Sequence, residues 1–402
     1  MKILFFEPHL TGHRQEYLNH LIEYVSANPS GHEYIFVVHP DFKLQLKVSS
    51  SKVQIEALSS RRKSGPRPLQ RNLAGALTRS LRTYHLADHY AKQFRIDHLC
   101  FLNFNDVQFA LGLFQPKYSI SGILFKPFGP LENGSLRKRL TWQRKYFQTW
   151  LYTRNKNIKT IFVLNDHKAG DFLNRTFKTD VFQMLPDPVP ELIPEPGYNL
   201  REQFSIPDDH KIFLHIGSLL KRKGTLDILD SLQYLSKEEL SKFTLLILGH
   251  AEPDLDREIR NRLSSSQELQ PSLSSRRKSG PRPQPPVTRY LNSFLSPQVF
   301  KSTLDQCDLV LVPYRYSESS SGIAGHAIAA GKPLLAVRKG LLGDTVAEHG
   351  NGIFIDECNP MEIANGLRKA LSVNLMGKVS KRFLQSHTKE IFSHVIVAAI
   401  TR

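Results

Sequence analysis

The sequence predicts an α/β protein of two consecutive Rossmann-like domains, each built on a parallel sheet, that face a cleft. Three observations carry this expectation. Short, unbroken apolar runs recur along the whole 402-residue chain, separated by helix-length stretches. Such runs suit strands covered on both faces, as in parallel sheets flanked by helices. Six prolines at 186, 188, 190, 194, 196 and 207 then interrupt the pattern, and beyond them it starts again. The length also exceeds one ordinary core, so two domains are expected on size alone. The expected boundaries are 1–190, a proline-rich linker over 191–207, and 208–375. A C-terminal helix over 376–402 comes last, with a crossing back to the first domain left open.

In the first half the expected strands are 2–6 (KILFF), 34–38 (YIFVV), 52–58 (KVQIEAL), 98–103 (HLCFLN), 121–125 (SGILF), 160–164 (TIFVL) and 181–185 (VFQML). Helical patterns lie between them, for example over 14–26 and 71–93. In the second half the strands are 212–217 (IFLHIG), 245–249 (LLILG), 289–294 (RYLNSF), 309–314 (LVLVPY), 333–337 (PLLAV) and 352–356 (GIFID). Leu226, Leu229 and Leu232 mark one helix face. Asn359 and Pro360 read as N-cap and first residue of a helix with Ile363, Leu367 and Leu371 on one stripe. The stretch from about 378 to 400 reads as one more helix. Ligands of such folds bind beyond the carboxyl ends of the strands.

Composition narrows the function classes. The apolar runs are strand-sized, which argues against a transmembrane helix. MKILFFEPHL reads as a first strand rather than a signal peptide. Three scattered cysteines (Cys100, Cys307, Cys358) suggest neither a disulfide framework nor a zinc site and suit a reducing, cytoplasmic setting. The net charge of +17 is less informative than it looks. The block LSSRRKSGPRP occurs at 58–68 and again at 273–283, and the two copies supply eight of those charges, leaving +9. Their flanks differ, so they read as two insertions of one element into surface loops rather than a repeat architecture. No nucleic-acid-binding motif accompanies the charge, and nucleic acid is not an expected partner.

Two segments of the second half point to phosphate chemistry. ESSSGIAGHAIAAG (318–331) joins two apolar strands through a polar loop into a helix of small residues. The N–H groups and dipole of such a helix can approach a phosphate closely. GSLLKRKG (217–224) also comes directly after a strand, with Gly217 and Gly224 allowing a tight turn and Lys223 bringing a cation to the same end of the domain.

Together these segments resemble the nucleotide-sugar half of the family 4 (group 1) glycosyltransferases, which have the GT-B fold. Gly217, Lys223 and Gly224 fall at the family's spacing. Glu318 matches the first of its two glutamates, and Ala327, Ala330 and Gly331 match the small residues after the second. The run 340–356 (GLLGDTVAEHGNGIFID) is similar to the family's later passage. The likeness is good over about 205–375. Ser218 stands where the family has arginine, and His326 where it has the second glutamate; both departures mark a divergent subgroup.

The resemblance implies a retaining glycosyltransferase that moves a sugar from a nucleoside-diphosphate donor to a glycan or lipid-linked acceptor in the cleft. It implies catalytic roles for Glu318, at the donor sugar, and Lys223, at the departing diphosphate. Donor binding falls to Gly217, Ser218, Arg222, Ser319, Ser320, Ser321, Gly322, Ile323 and His326. His326 either reaches the ribose or packs against a helix face in a degraded site. Gly12, His13 and Lys126 are expected on the acceptor side, where Asn103, Asn105 and Asp106 also come after a strand. No cofactor or metal is expected; Asp254-Leu255-Asp256 has a metal-binding form but reads as a solvated acidic loop. Residues 136–159 hold eight basic and no acidic residues and both tryptophans. Leu136, Leu140, Phe147 and Leu151 share one helical face there, which suits either packing on the domain or an anionic membrane surface. A peripheral location at the inner face of a membrane would go with the second. The alternative class is a degraded GT-B protein that serves as a binding or scaffold partner.

Overall fold

The computed structural model describes residues 1–10, 14–44, 50–59, 73–127, 129–130, 136–268, 288–316, 320–374 and 377–402. It forms two units, residues 1–188 with 387–402, and residues 189–386.

The first unit runs β1 (Lys2–Glu7), α1 (Arg14–Ala27), β2 (Glu33–Val38), β3 (Val53–Ala57), α2 (Leu73–Phe94), β4 (His98–Phe101), α3 (Gln108–Leu113), β5 (Ser119–Leu124), α4 (Leu136–Thr153), β6 (Ile158–Leu164), α5 (His167–Phe177) and β7 (Phe182–Leu185). Its strands are all parallel in the order β3-β2-β1-β4-β5-β6-β7. Successive side chains of a strand point to opposite faces. Ile3 and Phe5 therefore enter one core, and Leu4 and Phe6 the other. That two-sided burial is why the strands read as unbroken apolar runs.

The second unit runs α6 (Leu200–Phe204), β8 (Lys211–Ile216), α7 (Thr225–Ser231), α8 (Lys237–Leu240), β9 (Phe243–Leu248), α9 (Pro253–Glu268), β10 (Thr288–Leu291), α10 (Pro297–Gln306), β11 (Leu309–Val312), α11 (Gly322–Ala329), β12 (Leu334–Val337), α12 (Gly340–His349), β13 (Gly352–Ile355), α13 (Pro360–Ser372) and α14 (Lys381–Ser386). Its parallel sheet has the order β10-β9-β8-β11-β12-β13 and again carries a core on each face. All thirteen expected strands form, the ends differing by a few residues. Asn359 caps α13 by accepting the Glu362 N–H at 2.9 Å, with Pro360 in the first turn.

Three local expectations are corrected. The proline-rich stretch is not a bare linker. Asn199 caps α6, and Leu200 and Ile206 are buried in the second unit's core. The C-terminal stretch is two helices, not one. Thr388 caps α15 (Lys389–Thr401), which buries Phe392, Ile396 and Ile400 in the first unit, whereas α14 buries Phe383 in the second. The basic stretch 136–159 is helical only to Thr153, because Ile158 already opens β6. The repeated block falls almost wholly outside the described residues. Among the described residues, no helix is long and apolar enough to cross a membrane.

Candidate functional site

The site in the second unit is built on the carboxyl ends of β8 and β11. Gly217 comes after β8 with φ +101°, a conformation that L side chains rarely adopt. A Cβ there would lie 2.9 Å from Ile323 Cδ1 and 3.9 Å from Lys223 Nζ. Gly217, Lys223 and the first turn of α11 are thus neighbours. Gly249, after β9 with φ +146°, lets the adjacent loop approach just as closely, since its Cβ would meet the Gly217 carbonyl oxygen.

Lys223 is half-buried, with its ammonium 5.5 Å from the centre of the Tyr314 ring. Burial, and then the charge of Arg222, lower its pKa to about 8. No acid among the described residues forms an ion pair with it. Lys221 is taken by Glu258 on α9 at 2.5 Å. Arg222 is exposed, and its charge is felt at both Lys223 and Tyr314. Ser218 is exposed at the loop surface.

α11 starts where the small-residue pattern indicates. Ser321 is the N-cap, its Oγ accepting the Ala324 N–H at 3.3 Å, and Gly322 and Ile323 form the first turn. Tyr314, just beyond β11, is buried. Ser320 precedes the cap. Glu318 and Ser319 lie outside the described residues. His326 sits half-buried in the second turn, its ring edge-on to Phe300 of α10 with centroids 5.3 Å apart.

Several supports left no mark in the sequence. Buried His215 of β8 bonds the Leu311 carbonyl through Nδ1 and the Thr225 hydroxyl through Nε2, each at 3.0 Å. That ties β8, β11 and α7 beneath the 217–224 turn. Arg315 grips Asp227 with two nitrogens, and its backbone N–H donates to the Arg222 carbonyl at 2.9 Å. Asp254 and Asp256 lie in the first turn of α9 rather than in a loop. Asp256 is occupied by Arg260 and by the Tyr290 hydroxyl at 2.7 Å.

In the first unit, Gly12 and His13 lie outside the described residues. Lys126 is exposed just beyond β5. Asn105 Oδ1 accepts the Phe125 N–H at 2.9 Å, and Asn103 Nδ2 donates to Asp106 Oδ2 at 2.6 Å. The sequence reading missed Glu7. It ends β1 fully buried, and its pKa is raised to about 7, chiefly by burial. An acid closing an otherwise apolar strand was the available signal.

The group 1 glycosyl transferase family model matches residues 198–385, the segment that holds this site. Lipopolysaccharide 1,2-N-acetylglucosaminetransferase of Salmonella typhimurium is 27% identical over 181 residues, which are 44% of this chain; the match spans 43% of that enzyme's length. Among solved structures, WaaG, a glycosyltransferase of lipopolysaccharide biosynthesis, superposes with a TM-score of 0.64 at 16% identity over the whole of both chains. Anabaena HepE in complex with UDP and glucose gives 0.64 at 13% identity, covering 100% of this chain and 99% of that one. These likenesses extend over both units and establish the GT-B fold. Over residues 198–385, this chain is similar to the group 1 glycosyltransferases.

Proposed function

We propose that the protein is a retaining glycosyltransferase that moves a sugar from a nucleoside-diphosphate donor to a glycan or lipid-linked acceptor. The observation that carries this reading is Lys223. It is a cation partly removed from water, set beside a positive-φ glycine and the first turn of a capped helix. Such a charge is costly without a counter-ion, and a diphosphate supplies one. Lys223, Arg222 and the N–H groups near Gly322 and Ile323 would stabilise the departing diphosphate. On the family's pattern Glu318 would hold the donor sugar, with Ser319 and Ser320 beside it, and His326 would reach the ribose. These charges meet the leaving group without a metal, so none is required in this reading. HepE, a structural neighbour, is described with UDP and glucose, and the Salmonella relative transfers N-acetylglucosamine, as its name states.

The membrane surface belongs to the same proposal. α4 presents Leu136, Leu140 and Phe147 outward at 74%, 58% and 59% exposure, beside exposed Arg139 and Arg144. An exposed apolar stripe flanked by cations suits an anionic bilayer on which a lipid-linked acceptor would be presented.

Lys223→Ala tests the core of the reading. Turnover with a panel of UDP-, GDP- and ADP-sugars should fall about 10²–10³-fold, as when one transition-state donor is lost, with the melting temperature nearly unchanged. An unaltered rate would remove Lys223 from the site. Absence of any thermal shift of the wild type with UDP, GDP or ADP would favour the scaffold alternative.

A further inference from the structure

The site of the second unit is assembled from two loops. The turn after β8 brings Gly217 and Lys223; the loop after β11 brings Tyr314, Arg315 and, further on, the first turn of α11. How these loops are held in register decides where the Lys223 ammonium stands relative to the N–H groups of α11. Arg315 belongs to the second loop and holds the first.

The Arg315 backbone N–H donates to the Arg222 carbonyl at 2.9 Å, within the short turn Lys221–Lys223. Its guanidinium grips Asp227 in the first turn of α7, Nε to Oδ2 at 3.1 Å and Nη2 to Oδ1 at 2.5 Å. Asp227 is buried, and the Cys358 thiol, beyond β13, lies 3.7 Å from its Oδ2. Gly224, between the turn and α7, has φ +77°, and a Cβ there would lie 2.8 Å from both the Pro313 carbonyl oxygen and Cys358 Sγ. The Lys223 turn is thus pressed onto the chain just beyond β11, with one arginine fastening it at its backbone and at the helix that follows it. A guanidinium fork on a carboxylate fixes direction as well as distance, which a lysine in its place does not reproduce. The pair carries no net charge. The charge felt at Lys223 is that of Arg222, and the charge of Lys223 is in turn felt at His215 of β8.

We propose that Arg315, paired with Asp227, is a positioning residue that fastens the Lys223 turn to the loop beyond β11 and so sets where the Lys223 ammonium stands beside the first turn of α11. This rests on the reading of Lys223 as the cation that meets the diphosphate. The clamp holds that cation partly out of water and in register with the helix before a ligand arrives.

Competitive labelling of the full chain with acetic anhydride, read lysine by lysine by mass spectrometry from pH 6 to 11, tests this without any ligand. Wild-type Lys223 should titrate near 8, where burial and Arg222 hold it. In Arg315→Ala, Arg315→Lys and Asp227→Asn its midpoint should rise by about one unit or more, towards the roughly 10.4 of a solvated lysine. The three variants change the net charge by −1, 0 and +1. Electrostatics alone would therefore raise, leave and lower the midpoint in turn, whereas a loosened turn raises it in all three. Lys211, which donates to the Ala370 carbonyl at 3.0 Å, and Lys332, which donates to the Cys307 carbonyl at 2.9 Å, report in the same experiment that the second unit is folded. Their labelling should match the wild type. A Lys223 midpoint that follows net charge, or one unchanged in all three variants, overturns the proposal. Calorimetry with UDP, GDP and ADP keeps the two readings apart. The nucleotide that the wild type binds should bind each variant about tenfold more weakly, as when one charge-assisted hydrogen bond is lost. Nucleotide binding with an unmoved Lys223 midpoint sinks this proposal alone, and a raised midpoint without binding of any of the three to the wild type sinks the donor reading alone.

Discussion

A lysine drawn out of water tends to lose its proton, and Lys223 is held down to about 8 by burial, with Arg222 adding to the effect. Nucleoside-diphosphate affinity should therefore decline as pH rises past about 8, which titration calorimetry at pH 7 and 9 would show. His98 and His215 titrate on the acid side. Both are buried; His98 bonds the Ser121 hydroxyl at 3.0 Å, and burial lowers each pKa to about 4. Each stays neutral in the folded state while the unfolded chain takes up a proton near pH 6.5. Their contribution is thus complete above 6.5 and is lost as pH falls towards 4. The loss is about 3 kcal/mol per histidine at most. Urea midpoints of the wild type should drop between pH 7 and 5, and the double variant His98→Gln, His215→Gln should flatten that drop. The sequence shows all three residues, yet their ionisation depends on what the folded chain packs around them.

Among the elements, α4 departs most from what its sequence suggests. The four apolar residues of its expected face separate. Leu151 packs against Gly112 of α3, where an added Cβ would lie 2.5 Å from its Cγ, while Leu136, Leu140 and Phe147 face outward. Gln148, Thr149 and Tyr152 are the buried residues of its last turns, and Asn155 beyond it donates to the carbonyls of Leu111 and Phe114 at 2.8 and 2.9 Å. The inner face packs Trp142, Tyr146 and Tyr152 on the core, so Leu136, Leu140 and Phe147 form a further apolar stripe on the exposed side. Burying one such apolar side chain is worth roughly 1.5–3 kcal/mol, and each nearby basic residue about 1 kcal/mol at an anionic surface. The protein should float with liposomes containing phosphatidylglycerol and not with pure phosphatidylcholine. Leu140→Glu with Phe147→Glu should abolish flotation and leave the melting temperature within a few degrees. Equal recovery with both lipids would leave no place for electrostatic docking.

At the scale of the whole molecule, the chain passes from the first unit to the second and then returns. α15 is covalently remote from α1 but packs on it. Phe392 meets Tyr17 at 4.6 Å between ring centres, Lys389 pairs with Glu23 at 2.6 Å, and the Tyr24 hydroxyl bonds His394 at 2.8 Å. Removing residues 387–402 would expose Tyr17, Leu18 and Ile22 of the first unit. Losing Phe392, Ile396 and Ile400 together forfeits about 5–9 kcal/mol of burial, comparable with the stability of a whole domain. The truncated chain should be insoluble, or lose the first unit's melting transition in calorimetry. An unchanged thermogram would show that α15 is dispensable.

The sequence by itself determined the fold class, the positions of all thirteen strands, the capped start of α13, and the likeness to group 1 glycosyltransferases. These are written in neighbouring residues: strand runs, cap chemistry and the spacing of Gly217, Lys223 and Gly224. Only the tertiary structure decided that Lys223 stands beside Gly217 and Ile323, that Lys221 is occupied by Glu258 whereas Arg222 is turned to solvent, and that Glu7 is a buried acid with an open oxygen. It also turned the apolar stripe of α4 outward and sent α15 back to the first unit. The reason is physical. A residue's conformational preference is set by its chain neighbours, whereas its exposure, charge state and partners are set by elements that meet only when the sheets assemble.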